Sequence, residues 1–359
     1  MKRINNLWDQ IVSFDGLFAA AHRAMRGKRR RGDVARFWLE LDRELLSLQE
    51  ELSGGRYRPR GYRTFHIRDP KERLISAAPF RDRVVHHALV GVLEPTFERT
   101  FIPDSFASRR GKGTHTAIAR FQQFARRFPY AFKCDVAKYF PSIDHDILKP
   151  LLARKIKDRR VLDVASLIID GSNPQDEANF LFPGDDLFTA VERRRGLPLG
   201  NQTSQFFANV YLDPFDHFVK ETLRRIGYLR YVDDFVIFGE SAADLAEVRE
   251  RCREKLTELR LKMHPRKCTI GRVCDGTRFL GLRVFSTHCR LTRPWRVRTL
   301  RRLRKMAAAY RSRKIDWRMV DQRLASWKGH ASWPGAHLWL QQAMTSAGFP
   351  AFLVRRCFL

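Results

Sequence analysis

Arg230-Tyr231-Val232-Asp233-Asp234-Phe235 is the stretch on which the reading of this chain turns. Apolar residues flank it, Tyr228-Leu229 before and Val236-Ile237-Phe238 after, so two short strands meet at a pair of aspartates. Aspartate is a common turn residue, and a plain hairpin would carry the same pair. A second carboxylate gives the pair a chemical context. Ala131 to Asp135 is a strand by composition, and Asp135 at its end can project a carboxylate into a cleft. Nucleotidyl transfer needs two divalent cations about 4 Å apart, held by carboxylates from at least two backbone positions. Mg²⁺ accepts a few carboxylates plus substrate phosphates in place of a closed protein cage, so Asp135, Asp233 and Asp234 form a sufficient set.

Outward from this site, composition sets the partner. The 359 residues carry 68 Lys and Arg against 39 Asp and Glu, a formal charge of +29. Such a chain repels itself unless it binds a polyanion, and nucleic acid fits. Apolar residues at 44%, with 27 phenylalanines, supply a core and exclude disorder. The six cysteines show no zinc spacing and are expected as reduced structural thiols. No apolar stretch is long enough to span a bilayer and the start lacks an apolar h-region, so the expectation is an intracellular, cytoplasmic protein.

Residues 33–52 place Val34, Phe37, Leu41, Leu45, Leu48 and Leu52 at helical spacing, with Asp33 as cap and Gly54-Gly55 as stop. The basic run Arg26 to Arg31 before it is either a solvated linker or a phosphate-contacting arm. Tyr62 to Ile67 and Arg73 to Ser76 read as a hairpin around Asp69-Pro70-Lys71. Helical patterns follow over 82–97 and after the capping pattern Ser241-Ala242-Ala243-Asp244. Residues 170–186 read as an acidic surface insertion. His86 and His87, on a helix face without acidic or cysteine partners at suitable spacing, read as structural.

Several further residues fit a nucleotide or a nucleic acid. Lys71 and Arg73 flank the hairpin with two cations, which a triphosphate needs as charge develops on its leaving group. In Gly196-Leu197-Pro198-Leu199-Gly200-Asn201-Gln202-Thr203-Ser204-Gln205, Gly200 lets backbone approach a nucleotide, and Ser204 and Gln205 can hydrogen-bond at the start of the helix that follows. The tail from Leu291 alternates aromatics with cations that include Arg298 and Arg301. Its apolar face of Val297, Leu300, Leu303 and Met306 predicts a helix tracking a duplex backbone.

Together these residues resemble the reverse transcriptases over roughly residues 56–290. Phe132-Lys133-Cys134-Asp135-Val136-Ala137-Lys138-Tyr139-Phe140 is similar to that family's first metal-binding motif, and Tyr231-Val232-Asp233-Asp234 to its signature. The resemblance implies metal ligation by Asp135, Val136, Asp233 and Asp234, with two Mg²⁺ as cofactors and Mn²⁺ as a substitute. It makes Phe140 the gate against a 2'-hydroxyl and Lys267, in His264-Pro265-Arg266-Lys267-Cys268, the proton donor to pyrophosphate. Leu280 and Gly281, in Phe279-Leu280-Gly281, resemble the hairpin that grips the primer. Arg109 and Lys112, in Ser105-Phe106-Ala107-Ser108-Arg109-Arg110-Gly111-Lys112-Gly113, resemble a template- or nucleotide-binding fingers motif of bacterial and group II intron enzymes.

Where the family commonly has Gln before Gly200 and Ser-Pro at the motif's end, this chain has Leu199 and Ser204-Gln205. That variant, with Leu212-Asp213-Pro214-Phe215-Asp216 and Ala325 to Trp333, resembles reverse transcriptases of diversity-generating retroelements. The implied function is RNA-directed synthesis of complementary DNA from a template-repeat RNA, with errors opposite adenine. The implied partners are the template RNA and RNA/DNA duplex, deoxynucleoside triphosphates, and a small basic oligomeric accessory protein, in a bacterial or phage-encoded setting without a membrane. A group II intron-like or antiphage enzyme, or a scaffold with a vestigial site, remain the other readings. The implied fold is an α/β (α+β) right hand: an N-terminal helical extension over 1–55, fingers over 56–130, a palm of antiparallel sheet backed by helices over 131–289 with an insertion near 170–190, and a helical thumb over 290–359.

Overall fold

The computed structural model describes residues 3–68, 72–172, 180–186, 188–330 and 336–358. Among these residues the strands are β1 (Arg63–Arg68), β2 (Glu72–Ala77), β3 (Tyr130–Asp135), β4 (Tyr228–Tyr231), β5 (Asp234–Gly239), β6 (Thr269–Arg272), β7 (Thr277–Phe279), β8 (Leu282–Val284) and β9 (Cys289–Leu291). They form a two-stranded β1-β2 sheet, a four-stranded sheet of order β4-β5-β3-β6 and a three-stranded β7-β8-β9 sheet, with helices making up most of the rest. The fold is thus mixed helix and antiparallel sheet. The chain divides into two units, one of Met1–Gly113, Cys134–Phe235 and Val248–Cys268, the other of Thr114–Lys133, Val236–Glu247 and Thr269–Leu359.

In the first unit the helix Phe14–Met25 begins where Ser13 accepts a hydrogen bond from the Gly16 N–H at 3.1 Å, a side-chain cap for an otherwise orphaned donor. Leu17, Ala20, Ala21 and Ala24 recur on one face and bury it. That face packs on the helix Phe80–Glu98, which also receives the helix Gln202–His217. The single helix expected over 33–52 is two, Gly32–Leu39 and Leu41–Ser53, broken at Glu40. The break lets each half bury its own stripe. Val34 and Phe37 come from the first, with Phe37 edge-on to Phe80 at 5.0 Å between ring centroids, and Leu45, Leu48 and Leu52 come from the second. Asp33 lies in the first turn rather than at the cap, and Gly54 ends the second half as its spacing predicts.

The hairpin expectation holds. β1 pairs antiparallel with β2 from Arg63↔Ala77 to Arg68↔Glu72, while its turn residues fall outside the described ones. All of β1 is exposed, the apolar Phe65 and Ile67 included. The described end of the acidic insertion is anchored. Arg193 pairs with Asp185 and lies beside the fully buried Asp144, and Lys262 sits 5.3 Å from the rings of both Phe180 and Phe182.

In the second unit the helix Thr114–Arg127 lays Phe121 and Phe124 on Phe238, at 4.9 and 5.7 Å, and Phe121 also stacks on Phe279 at 5.6 Å. Each such fully buried ring contributes roughly 1.5–3 kcal/mol. β3 begins by pairing antiparallel with β6, Tyr130↔Arg272 to Lys133↔Thr269. β7 and β8 are joined by Leu280 and Gly281 at φ of 48° and 81°, the two positive values that a tight mirror-image turn needs. Ser241 caps the helix Ala242–Glu258 through the Asp244 N–H at 3.1 Å. The basic tail helix runs Arg293–Arg311. Its buried face is Thr299, Leu303, Met306 and Ala307, and the expected contributor Val297 is 51% exposed because six residues place it about 120° around the helix from Leu303.

Candidate active site

Asp233 and Asp234 sit where β4 turns into β5, and the turn has an uncommon backbone. Val232 takes φ of 57°, a left-handed value that costs a β-branched residue about 1–2 kcal/mol. Two hydrogen bonds fix it. The Val232 carbonyl accepts from Arg230 Nη1 at 2.9 Å, and the Asp233 carbonyl accepts from the Val136 N–H at 2.9 Å. The second bond ties the residue after Asp135 to the aspartate turn, so main-chain geometry brings the two carboxylate-bearing segments to one place. On the other side of β3's end, the His264 N–H donates to the Asp135 carbonyl and the Ala137 N–H to the Lys262 carbonyl, both at 2.8 Å.

Lys267 enters through that last segment. Its ammonium donates to Asp135 Oδ1 at 2.7 Å, with the side chains 37% and 16% exposed. Flanking this pair, Cys134 and Cys268 are joined in a disulfide, which corrects the expectation of reduced thiols throughout; Cys252, Cys274, Cys289 and Cys357 are free. Among the described residues no group of three or more His, Cys, Asp or Glu converges as a closed metal cage. The donors at the turn are carboxylate oxygens, with both nearby thiols consumed by the disulfide. That hard-oxygen set fits Mg²⁺ or Mn²⁺, which complete their shells with substrate phosphates.

The turn rests on a buried network that the sequence reading missed. Arg230 and Asp216 are both fully buried and pair twice, Nε to Oδ1 at 2.7 Å and Nη2 to Oδ2 at 2.6 Å. Tyr228 Oη donates to the same carboxylate at 2.5 Å, and Arg230 reaches Asn209 Oδ1 at 3.3 Å and Ser105 Oγ at 3.4 Å. Burial alone would lower the pKa of Arg230, but the Asp216 carboxylate pushes it up, so the guanidinium stays charged. The signal was present: an arginine inside Tyr228-Leu229-Arg230-Tyr231 demands a buried partner, because Arg is almost never fully buried unpaired.

Asp135 is followed by a left-handed Lys138, at φ of 45°, and a short helix Tyr139–Ser142. Phe140 is half-buried there, its carbonyl accepting from the Leu197 N–H at 2.9 Å. The glycine motif lies against β2: the Leu199 carbonyl accepts from the Ser76 N–H at 2.9 Å, and Asn201 bonds both the Ala78 N–H, at 3.1 Å, and the Ser76 carbonyl, at 2.8 Å. Gly200 has φ of 113°, and a Cβ there would meet Ile75 Cγ2 at 2.9 Å, so both conformation and space require glycine. Gln205 is exposed on the first turns of the following helix and accepts from Ser108 Oγ at 3.1 Å.

Arg73 is exposed on β2, whereas Lys71 lies outside the described residues. Arg109 is committed internally. Its side chain is 5% exposed, Nε lies 2.9 Å from both Glu98 oxygens, and Nη1 donates to the Ile102 and Ser105 carbonyls at 2.7 and 2.8 Å. Those bonds leave it a clamp of the 98–109 loop, not the outward-facing template contact its motif led us to expect. Lys112 donates to the Pro103 carbonyl at 2.7 Å over the Phe106 ring. Leu280, Gly281, Arg298 and Arg301 belong to the second unit, the two arginines exposed on the helix Arg293–Arg311.

A family model described as reverse transcriptase (RNA-dependent DNA polymerase) matches residues 67–284. Protein YkfC of Escherichia coli K12 is 27% identical over 287 residues, covering 69% of this chain and 72% of that protein. The group II intron-encoded protein LtrA of Lactococcus lactis is 24% identical over 181 residues, covering 50% of this chain. The mitochondrial nuclear intron maturase 1 of Arabidopsis thaliana is 32% identical over 140 residues, covering 33%. The chain spans 28% and 20% of the length of those two intron proteins. Apo telomerase of Candida tropicalis shares the fold, with a TM-score of 0.51 at 11% identity over 84% of this chain and 58% of that one. No helix among the described residues is long and apolar enough to cross a membrane.

Proposed function

The chain belongs to the reverse transcriptase (RNA-dependent DNA polymerase) family, and on that premise we propose that it copies a template-repeat RNA into complementary DNA, with errors concentrated opposite adenine, in a diversity-generating retroelement. The polymerase part rests on one observation above others: the Val136–Asp233 main-chain bond that unites the two carboxylate segments, with Lys267 on Asp135. Asp135 and Asp233, with Asp234 and the Val136 carbonyl assisting, would hold two divalent cations, which would supply Lewis-acid activation of the primer hydroxyl and the triphosphate. Lys71 and Arg73 bind the triphosphate, Phe140 packs on the deoxyribose, and Lys267 donates the proton taken by departing pyrophosphate. Gly200 and Gln205 line the nucleotide and template side, Leu280 and Gly281 hold the primer end, and Lys112, Arg298 and Arg301 track backbone phosphates.

In this reading residues 1–55 form an N-terminal extension, 56–130 the fingers, 131–289 the palm and 290–359 the thumb. The retroelement assignment is supported by Leu199 to Gln205, the stretch that departs from the commoner family pattern and is braced against β2. It carries with it a small basic oligomeric accessory protein and a cytoplasmic, bacterial or phage-encoded setting. A second reading, a group II intron-like enzyme, is favoured by the intron-encoded relatives. Sequencing complementary DNA made on a defined RNA decides between them. Substitutions clustered at template adenines support the retroelement reading, and uniform fidelity at all four bases favours the intron-like one.

A further inference from the structure

Apart from the aspartate turn, the first unit contains a cationic stripe in which several buried nitrogen atoms have no hydrogen-bond partner. On the helix Phe80–Glu98, Arg83, His87 and Gly91 follow one another at intervals of four and share a face. Arg83 is 9% exposed, yet its Nε and Nη1 are buried with no hydrogen-bond partner, and the same is true of His87 Nδ1. Across this face lies Arg23 from the helix Phe14–Met25, its Nη2 donating to the His87 carbonyl at 3.3 Å. A Cβ at position 91 would meet that Nη2 at 2.8 Å, so the glycine makes room for the guanidinium.

The surroundings are mainly positive, with Glu94 beside Arg23 and Asp33 beside Lys28 and Arg83 as the acidic groups. Burial and then the charges of Lys28, Arg23 and Arg83 push the pKa of His87 down to about 4. Lys28 is itself lowered by burial and by Arg83 and Arg31, with Asp33 the acidic group opposing that shift. Arg83 is lowered by burial and Arg31 and raised by Asp33. A buried guanidinium with two of its nitrogens left unpaired is costly for a fold to keep. Nitrogen donors converging among cations suit one kind of occupant, a multivalent oxyanion that accepts several hydrogen bonds.

We propose that Arg83, with Arg23, His87 and Lys28, forms a binding site for a phosphate group, distinct from the triphosphate contacts at the aspartate turn. The phosphate is either a backbone phosphodiester of bound RNA or free inorganic phosphate. The basic loop Arg26 to Arg31 borders the site as the arm its composition suggested. The RNA source rests on the polymerase reading; the site itself does not.

The test compares wild type with Arg83→Met, and with Lys28→Met as a variant at the loop. Melting temperature is followed against inorganic phosphate, and affinity for a short single-stranded RNA is followed against salt. Without ligand, Arg83→Met melts at or above wild type, because an apolar side chain replaces an unpaired buried charge. Phosphate then stabilises wild type but not Arg83→Met. RNA affinity falls roughly tenfold, and the slope of log K against log salt shrinks by about 0.7, one phosphate contact on a single strand. Loss in the RNA arm alone assigns the site to a backbone phosphodiester, and loss in the phosphate arm alone assigns it to the free anion. Loss in neither arm, for either variant, overturns the proposal. So does an Arg83→Met that melts below wild type while both ligands still bind. Neither arm needs nucleotide incorporation, so a chain that fails to polymerise leaves this outcome readable.

Discussion

Replacing Arg230 by Met should separate what holds the protein together from what aims the aspartates. The side chain is fully buried, and it carries a double contact to Asp216 at 2.6 and 2.7 Å together with the 2.9 Å bond to the Val232 carbonyl. Removing it strands the Asp216 carboxylate in the interior with Tyr228 as its remaining partner. Breaking a buried pair from one side costs about 3–5 kcal/mol, which lowers Tm by on the order of 10 °C. Arg230→Met/Asp216→Leu removes the stranded charge and should recover most of that loss. It does not return the donor to Val232, whose left-handed backbone needs one. Incorporation by the double variant should therefore stay roughly 10²-fold down, the usual consequence of a displacement of about 1 Å at a reacting centre. Thermal unfolding and single-nucleotide extension on the same preparations measure both. The reasoning is refuted by a single variant less than about 1 kcal/mol weaker than wild type, or by a double variant that extends primers at the wild-type rate.

Lys267→Met should leave stability within about 1 kcal/mol, since its pair with Asp135 is partly exposed. The same change should slow incorporation by roughly 10²–10⁴-fold, and an unchanged single-turnover rate would remove Lys267 from the chemistry. Phe140→Val should open the sugar gate, lowering the preference for deoxynucleotides over ribonucleotides by roughly 10–200-fold in competition assays; a constant ratio assigns the ring to packing alone. His86 is buried, and burial followed by the charges of His87 and Arg83 lowers its pKa from 6.5 to about 3. Below the unfolded value the unfolded chain takes up a proton that the folded chain refuses. Stability is then lost as pH falls from 6.5 towards about 3, by up to about 1.4 kcal/mol per unit. Denaturation midpoints across that acid range should fall less steeply for His86→Gln, and parallel curves would contradict this account.

What could be read in the sequence was whatever local pattern fixes. Alternating and apolar runs marked β1, β2, β3 and the β4-β5 turn, and Ser241 with Gly54 marked helix ends, because caps and turns depend on residues a few positions apart. The break at Glu40 was invisible, since a continuous apolar stripe over 34–52 fits one helix as well as two and only tertiary packing chooses between them. Exposure misled in both directions. Arg109 sits in a basic, glycine-containing stretch that reads as a nucleic-acid contact, yet Glu98, eleven residues earlier, and two carbonyls occupy it. Arg230 sits in the signature itself, and its partner Asp216 is fourteen residues away on a helix. The Cys134–Cys268 disulfide, between positions 134 residues apart, has no local signal at all.

The central claim is that Asp135 and Asp233 form one metal-dependent site for copying RNA into DNA. Extension of a DNA primer on an RNA template by wild type and Asp233→Ala, with RNA affinity measured in parallel, tests it most directly. The account predicts Mg²⁺-dependent extension by wild type, no detectable extension by the variant, and equal RNA binding by both. Extension that survives in Asp233→Ala, or a wild-type chain that binds RNA without extending the primer, would contradict it.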